Sequence, residues 1–230
     1  NSAAVIVAAG AGRRMGARIR KQYLRLAGDP ILWHTLKAFD RCTAITGITL
    51  VAPAAELGWV ADKILMPLKL TTPVTLCPGG DERQDSVRLG LDTVDAACQL
   101  VAIHDGVRPL IAPEQIEACL RAAARDGAAL LAVPVADTLK RGGEEGIVAE
   151  TVSRDGVWLA QTPQVFQLAL IRKAHRKAAE EGVQGTDDAA LVERLGHPVR
   201  LVEGSRRNIK VTTPEDLALA EAFLSARNAS

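Results

Sequence analysis

Short, fully apolar, β-branched-rich runs alternate along this chain with segments of helical period, and that alternation limits the fold more than any other feature. The run from Ala4 to Ala9 reads as a buried strand, and ITLVAP from Ile48, VTLCP from Val74, LVAIHD over 100–105 and AALLAVPV from Ala128 repeat the pattern. Between them, Ile31 to Arg41, opened by Pro30 near its first turn, carries apolar residues three and four apart. So do a segment that starts at Gly79-Gly80-Asp81 and runs to about Val94, and Pro113 to Asp126. Strands that are apolar on both faces and separated by helices belong to a mostly parallel sheet covered on both sides. The 230 residues suffice for one large core. The expected architecture is therefore α/β, a single Rossmann-like three-layer domain over residues 1–230.

The order breaks at about 137–158. There, strand-like segments flank Gly-Gly-Glu-Glu-Gly in a hairpin too polar to bury a face of its own. Such a projecting β-arm needs a partner surface, and a second copy of the chain is the simplest one, so a homodimer is expected. Downstream come a TPQ segment, helices over 168–181 and 187–195, and short strands at VRLVEG and NIKV. A last helix opens at TTPED, with Thr213 as its cap, Pro214 at the first position and Asp216 at the third.

The first strand empties into a loop with Gly10, Gly12 and Gly16. Arg13, Arg14, Arg18, Arg20, Lys21 and Arg25 crowd in and after that loop, and no acid appears before Asp29. Backbone amides freed by glycine, together with several cations, suit a polyphosphate. No Gly-Lys-Ser/Thr follows, which excludes a Walker A loop. A dinucleotide fold needs an acid at the end of the second strand, where Glu56 falls too late, and it leaves the arginines unexplained. A nicotinamide-dependent oxidoreductase stays as the reading from another class, and a non-catalytic nucleotide-binding module as a weaker one.

Composition narrows the partners. A net charge of +1 and 3% aromatic residues argue against nucleic acid, because the basic loop is a local concentration without a stacking platform. Cys42, Cys77, Cys98 and Cys119 are scattered and form no CxxC pair, which fits free thiols in a reducing cytoplasm. No run approaches membrane-spanning length and no signal-peptide pattern is present.

Eight segments occur in order: AAGAGRRM, RKQYL, GGDERQDSV, HDGVRP, PVADTLKR, TVSRDGVWLAQTPQ, TDDAALVE and LVEGSRRNIKVTTPEDL. Together they resemble the sugar- and polyol-phosphate nucleotidyltransferases, and most closely the 2-C-methyl-D-erythritol 4-phosphate cytidylyltransferase family. The chain departs from the family pattern at VAAG for PAAG, HDGVRP for HDAARP and TDDAAL for TDEASA. Relatives acting on ribitol 5-phosphate share part of the set but tend to lack the run from Thr151, so that acceptor is the alternative.

The resemblance implies CTP and a polyol phosphate as substrates, Mg2+ as cofactor, and Asp105 as a candidate metal ligand through the CTP phosphates. Arg14 and Lys21 would stabilise the transition state. Ala8, Ala9, Gly10, Gly12 and Arg13 would line the nucleotide, with Gly80, Asp81 and Ser86 at the base and Asp105 and Gly106 beside the ribose. Thr138, Thr162 and Arg108 would meet the acceptor, and Arg154 and Lys210 would aim its phosphate at the α-phosphorus. An acceptor phosphate is mostly dianionic near pH 7, so the chemistry calls for cations and positioning, not a general base.

Overall fold

The computed structural model describes residues 1–10 and 20–228. Its centre is a seven-stranded sheet whose strands enter in chain order as follows. β1 (Ser2–Val7) comes first. A small ribbon of β2 (Arg25–Leu26) and β3 (Asp29–Pro30) precedes α1 (Ile31–Asp40) and β4 (Ile45–Ala52). Two short helices, α2 (Leu57–Val60) and α3 (Met66–Leu68), are joined by a wide π turn over Ala61–Leu65. Next come β5 (Val74–Pro78), α4 (Arg83–Thr93), β6 (Leu100–Asp105), α5 (Pro113–Asp126) and β7 (Ala128–Pro134). β8 (Leu139–Gly142) and β9 (Val148–Val152) form the arm. They are followed by β10 (Trp158–Gln167), α6 (Leu168–Glu180), α7 (Asp188–Glu193), β11 (Arg200–Glu203) and α8 (Pro214–Asn228).

The sheet order is β11-β7-β10-β6-β1-β4-β5, and every neighbouring pair is parallel except the two made by β10. β1 shows why its sequence is apolar throughout. Ala4, Ile6 and Ala8 join Leu32, Leu36 and Phe39 of α1 and Ile116 and Leu120 of α5 in one core. Ala3 and Val5 join Val87 and Leu91 of α4 and Ile171 of α6 in the other. Successive side chains of a strand point to opposite faces, so a strand covered twice has no polar face to spare. The three layers and the mostly parallel sheet are those expected.

Two local expectations need correction, and the TPQ segment, to which the sequence assigned no element, has one. It lies inside β10, at a bulge where the pairing with β7 jumps from Ala160 to Gln164, and Pro163 sits where no ladder donor is needed. NIKV is not a strand. The amides of Asn208 and Ile209 close turns onto Ser205 and Arg207, and Val211 makes a single bond to the Val107 carbonyl. The helix expected from Gly79 begins at Arg83, because Glu82 is extended at ψ 164° and the preceding glycines form a loop of their own.

The arm is a separate two-stranded ribbon, as its composition implied, and it leaves Ile147 and Val148 exposed. Thr213 caps α8 as expected, its hydroxyl accepting from the Asp216 amide.

Candidate active site

The strand order reverses direction beside β1: β4 and β5 lie on one side and β6 on the other. In open parallel sheets the crevice at the carboxyl ends of the strands flanking such a point is where ligands bind. Here it is a cleft of about 240 Å³, with walls supplied by 7–10 at and after the end of β1, by 80–83 and Ser86 before and in α4, and by Asp105 and Val107 at and after the end of β6. Lys21 and Lys210 complete it.

Each wall is fixed locally. The Ala8 amide donates to the Val51 carbonyl, and the Ala8 carbonyl accepts from the buried Gln22 side chain at 2.6 Å. Gln22 thereby ties the segment that carries Lys21 to the strand end. Arg20 pairs with Glu56 at 2.6 Å, so Glu56, which is misplaced for a ribose acid, anchors the returning end of the glycine loop. Opposite, the Gly80 amide donates to Ser86 Oγ at 3.1 Å. A Cβ on Gly79 would lie 2.2 Å from the Ala9 Cβ, so only glycine lets this loop cross so close to the first strand.

The floor is electrostatic. Asp105 ends β6 and is almost fully buried. Its Oδ1 takes Arg83 Nε at 3.1 Å, its Oδ2 takes Lys210 Nζ at 2.8 Å, and Arg108 Nε lies 3.8 Å away. Burial opposes ionisation of this carboxyl, but Arg83, Lys210 and Arg108 together hold it far below the usual carboxylate range. Burial likewise pushes the Arg108 guanidinium down, with Asp105 opposing. Three cations thus converge on one carboxylate, while Asp81 and Glu82 add acidic groups to the lining.

Beneath the floor, Thr162 Oγ1 accepts from the Asp105 amide at 3.1 Å and pairs with His104 Nδ1 at 3.0 Å. The hydroxyl proton therefore goes to Nδ1, and the other ring nitrogen, Nε2–H, donates to the Arg108 carbonyl at 3.2 Å. Burial drives His104 down to about 3, against the pull of Asp105, so its imidazole is neutral at pH 7. Asn208 donates to the Thr162 carbonyl at 2.9 Å and to Gln161 Oε1 at 3.3 Å, while Gln161 donates to the Ser205 carbonyl. The bulge in β10 is thus what holds the segment that carries Lys210.

Of the residues singled out from the sequence, the cleft brings together Ala8, Ala9, Gly10 and Lys21 with Gly80, Asp81 and Ser86, and with Asp105 and Lys210. Gly106 is not in the lining, and a Cβ there would lie 3.1 Å from Leu32 Cδ1 and 3.2 Å from the Ala8 Cβ. Arg108 is turned inward, donating to the Asn208 carbonyl at 2.7 Å, and Thr162 is buried. Thr138 and Arg154 are exposed at the base of the arm, where the Arg154 guanidinium donates to the Ala136 carbonyl. Gly12, Arg13 and Arg14 lie outside the described residues. Arg83, Gln22, Gly79 and Asn208 were not singled out. Arg83 was within reach, two residues after Asp81 in a segment with the first strong basic-acidic mixture; the others are ordinary residue types whose partners lie elsewhere in the chain.

A family model described as IspD, 2-C-methyl-D-erythritol 4-phosphate cytidylyltransferase, matches residues 2–226. The chain belongs to this family. It is 50% identical to the cytidylyltransferase of that name from Desulforamulus reducens, over 99% of this chain and 97% of the relative. The corresponding enzyme of Pelotomaculum thermopropionicum is 48% identical, over 98% and 94%. Among solved structures, the 4-diphosphocytidyl-2C-methyl-D-erythritol synthase of Anaerococcus prevotii superposes with a TM-score of 0.85 at 31% identity, covering 97% of this chain and 98% of that one. The Thermus thermophilus cytidylyltransferase gives 0.78 at 34%, covering 96% and 98%. The donor set around Asp105 does not fit a Mg2+ as it stands, because an ion carried in on nucleotide phosphates would have to displace Lys210 or Arg83 to reach the carboxylate. It does not suit a resident ion: both Asp105 oxygens carry cations, and among the described residues no three His, Cys, Asp or Glu side chains converge. No described helix is long and apolar enough to cross a membrane.

Proposed function

We propose that the chain transfers the CMP moiety of CTP to 2-C-methyl-D-erythritol 4-phosphate, giving 4-diphosphocytidyl-2-C-methyl-D-erythritol and pyrophosphate in non-mevalonate isoprenoid synthesis. The observation that carries this reading is the end-to-end family match, and the cleft at the β1/β6 switch point, with Lys21 and Lys210 in its lining, supports it.

In the reaction an oxygen of the acceptor phosphate attacks the α-phosphorus, and the bond from that phosphorus to the bridging oxygen of the β-phosphate breaks. The electron pair leaves on pyrophosphate, and no proton need move. The nucleophile arrives ionised, and His104, neutral and enclosed, is not asked to act as a base. Lys21 sits on the nucleotide side, where with Arg14 it would neutralise charge that builds up on the phosphorane-like transition state. Ala8, Ala9, Gly10, Gly12, Arg13, Gly80, Asp81 and Ser86 would hold the nucleotide, with Asp105 and Gly106 beside its ribose. Lys210, steadied by Asp105, would meet the acceptor phosphate together with Arg154, with Arg108, Thr138 and Thr162 shaping that side. Mg2+ brought on the CTP phosphates would offset their charge.

The exposed Ile147 and Val148 on the arm, with Trp158 and Leu159 at its base, support a homodimer in which the arm crosses to a second copy. A reducing cytoplasmic setting agrees with four free cysteines. The test is pyrophosphate release with CTP against methylerythritol 4-phosphate and ribitol 5-phosphate in parallel. Preference for the first is expected, and preference for the second would reassign the acceptor.

A further inference from the structure

Asp105 is one end of a row of charges that runs away from the cleft. Arg83 bridges two carboxylates, with Nε on Asp105 at 3.1 Å and Nη1 on Asp188 Oδ2 at 2.9 Å. The other oxygen of Asp188 meets His175 Nε2 at 3.1 Å, with both side chains almost completely enclosed, at 1% and 2% exposure. Four elements, β6, α4, α7 and α6, each supply one member.

An imidazole is a poor choice for packing alone at position 175. Its Nδ1 is buried without a partner, and unmet buried polar atoms destabilise a fold. Its neighbours on the inward face of α6, Ile171, Ala174 and Ala178, are apolar, so a hydrocarbon side chain would fill the place without that cost. What the imidazole adds is a donor to Asp188. Without that donor, Asp188 would keep only its tie to Arg83 and would be free to turn on it. Arg83 in turn fixes one oxygen of Asp105, which leaves the other directed at Lys210.

We propose that His175 and Asp188 are positioning residues for the transfer reaction: they hold Arg83, Arg83 holds the Asp105 carboxylate, and that carboxylate aims the Lys210 ammonium into the cleft. The proposal rests on the reading of Lys210 as a ligand of the acceptor phosphate. Neither residue touches substrate, so their effect reaches the reaction only as displacement of Lys210. A misplacement of about 1 Å can cost up to about 10²-fold in rate.

The experiment measures pyrophosphate release while each substrate is varied separately, for His175→Leu, His175→Gln and Lys210→Ala. His175→Leu is expected to lower kcat/KM for the acceptor about tenfold while KM for CTP changes less than about twofold. His175→Gln, whose amide keeps a donor, is expected to recover most of the loss. Unchanged acceptor kinetics in His175→Leu would overturn the relay. So would an equal rise in both KM values that glutamine does not rescue, because that marks a packing role. Lys210→Ala tests the premise by itself: normal acceptor kinetics in that variant would refute the acceptor reading, whereas a defect there beside a wild-type-like His175→Leu would refute the relay alone. Should His175→Leu fail to fold, Asp188→Asn, which keeps the volume and removes the charge, is read by the same criteria.

Discussion

Single atoms decide much of this site. The Gly79 position is one: any side chain there collides with Ala9, whose backbone forms a wall of the cleft. Gly79→Ala is expected to cost about 1–3 kcal/mol of stability, as overpacking does, and to raise KM for CTP, which denaturant titration and steady-state kinetics would measure. His104 is another. Its folded value of about 3 lies below its ordinary 6.5, so between those values the unfolded chain binds a proton that the folded chain refuses. Stability from this group is therefore complete above pH 6.5 and is lost as pH falls toward 3, with a slope of up to about 1.4 kcal/mol per pH unit. Urea midpoints at pH 7 and pH 5 should record that loss, and His104→Gln should flatten it. Asp105 and Asp188 act lower: both carboxyls are held below 3.8, so their contribution persists above that value and fails only under it.

At the scale of elements, the site depends on a bulge and a loop more than on regular structure. β10 breaks its ladder at 161–163, and the residues so released, Gln161 and Thr162, hold Asn208 and the Asp105 amide. Asn208→Ala would leave the Thr162 carbonyl and Gln161 Oε1 without their donor. A loss of about 1–3 kcal/mol is expected, along with weaker acceptor use through Lys210, two residues on; thermal unfolding and acceptor KM would register the two effects. Regular elements were legible in the sequence because their periodicity is local: LVAIHD and Pro113 to Asp126 match β6 and α5 end to end. Asp105 was legible for a related reason, as a carboxylate closing an apolar strand. The antiparallel β10 was hidden by a proline inside it, and the NIKV segment has strand-like composition but spends its amides on turns. The row from Asp105 to His175 was not legible, because its members are ordinary residues up to 105 positions apart whose meeting is a property of the packed layers.

On the scale of the whole molecule, the sheet order puts the end of β1 and the end of β6 side by side, so one wall of the cleft and its charged floor come from strands about a hundred residues apart. The arm is the part that this single chain leaves unexplained, with apolar side chains at Ile147 and Val148 facing outward. Ile147→Lys combined with Val148→Glu is expected to convert a dimer into a monomer, read by light scattering, and to lower activity if Thr138 and Arg154 serve across the pair. A monomeric wild-type protein would contradict that reading.

In the proposed mechanism, cations and positioning carry the transfer without a general base. The most direct measurement is kcat for pyrophosphate release in Lys21→Ala and Arg14→Ala, with folding checked by circular dichroism. Losses of about 10²–10³ in correctly folded variants are predicted, the usual effect of removing one charge-stabilising donor. Turnover near that of the wild type in both variants would contradict it.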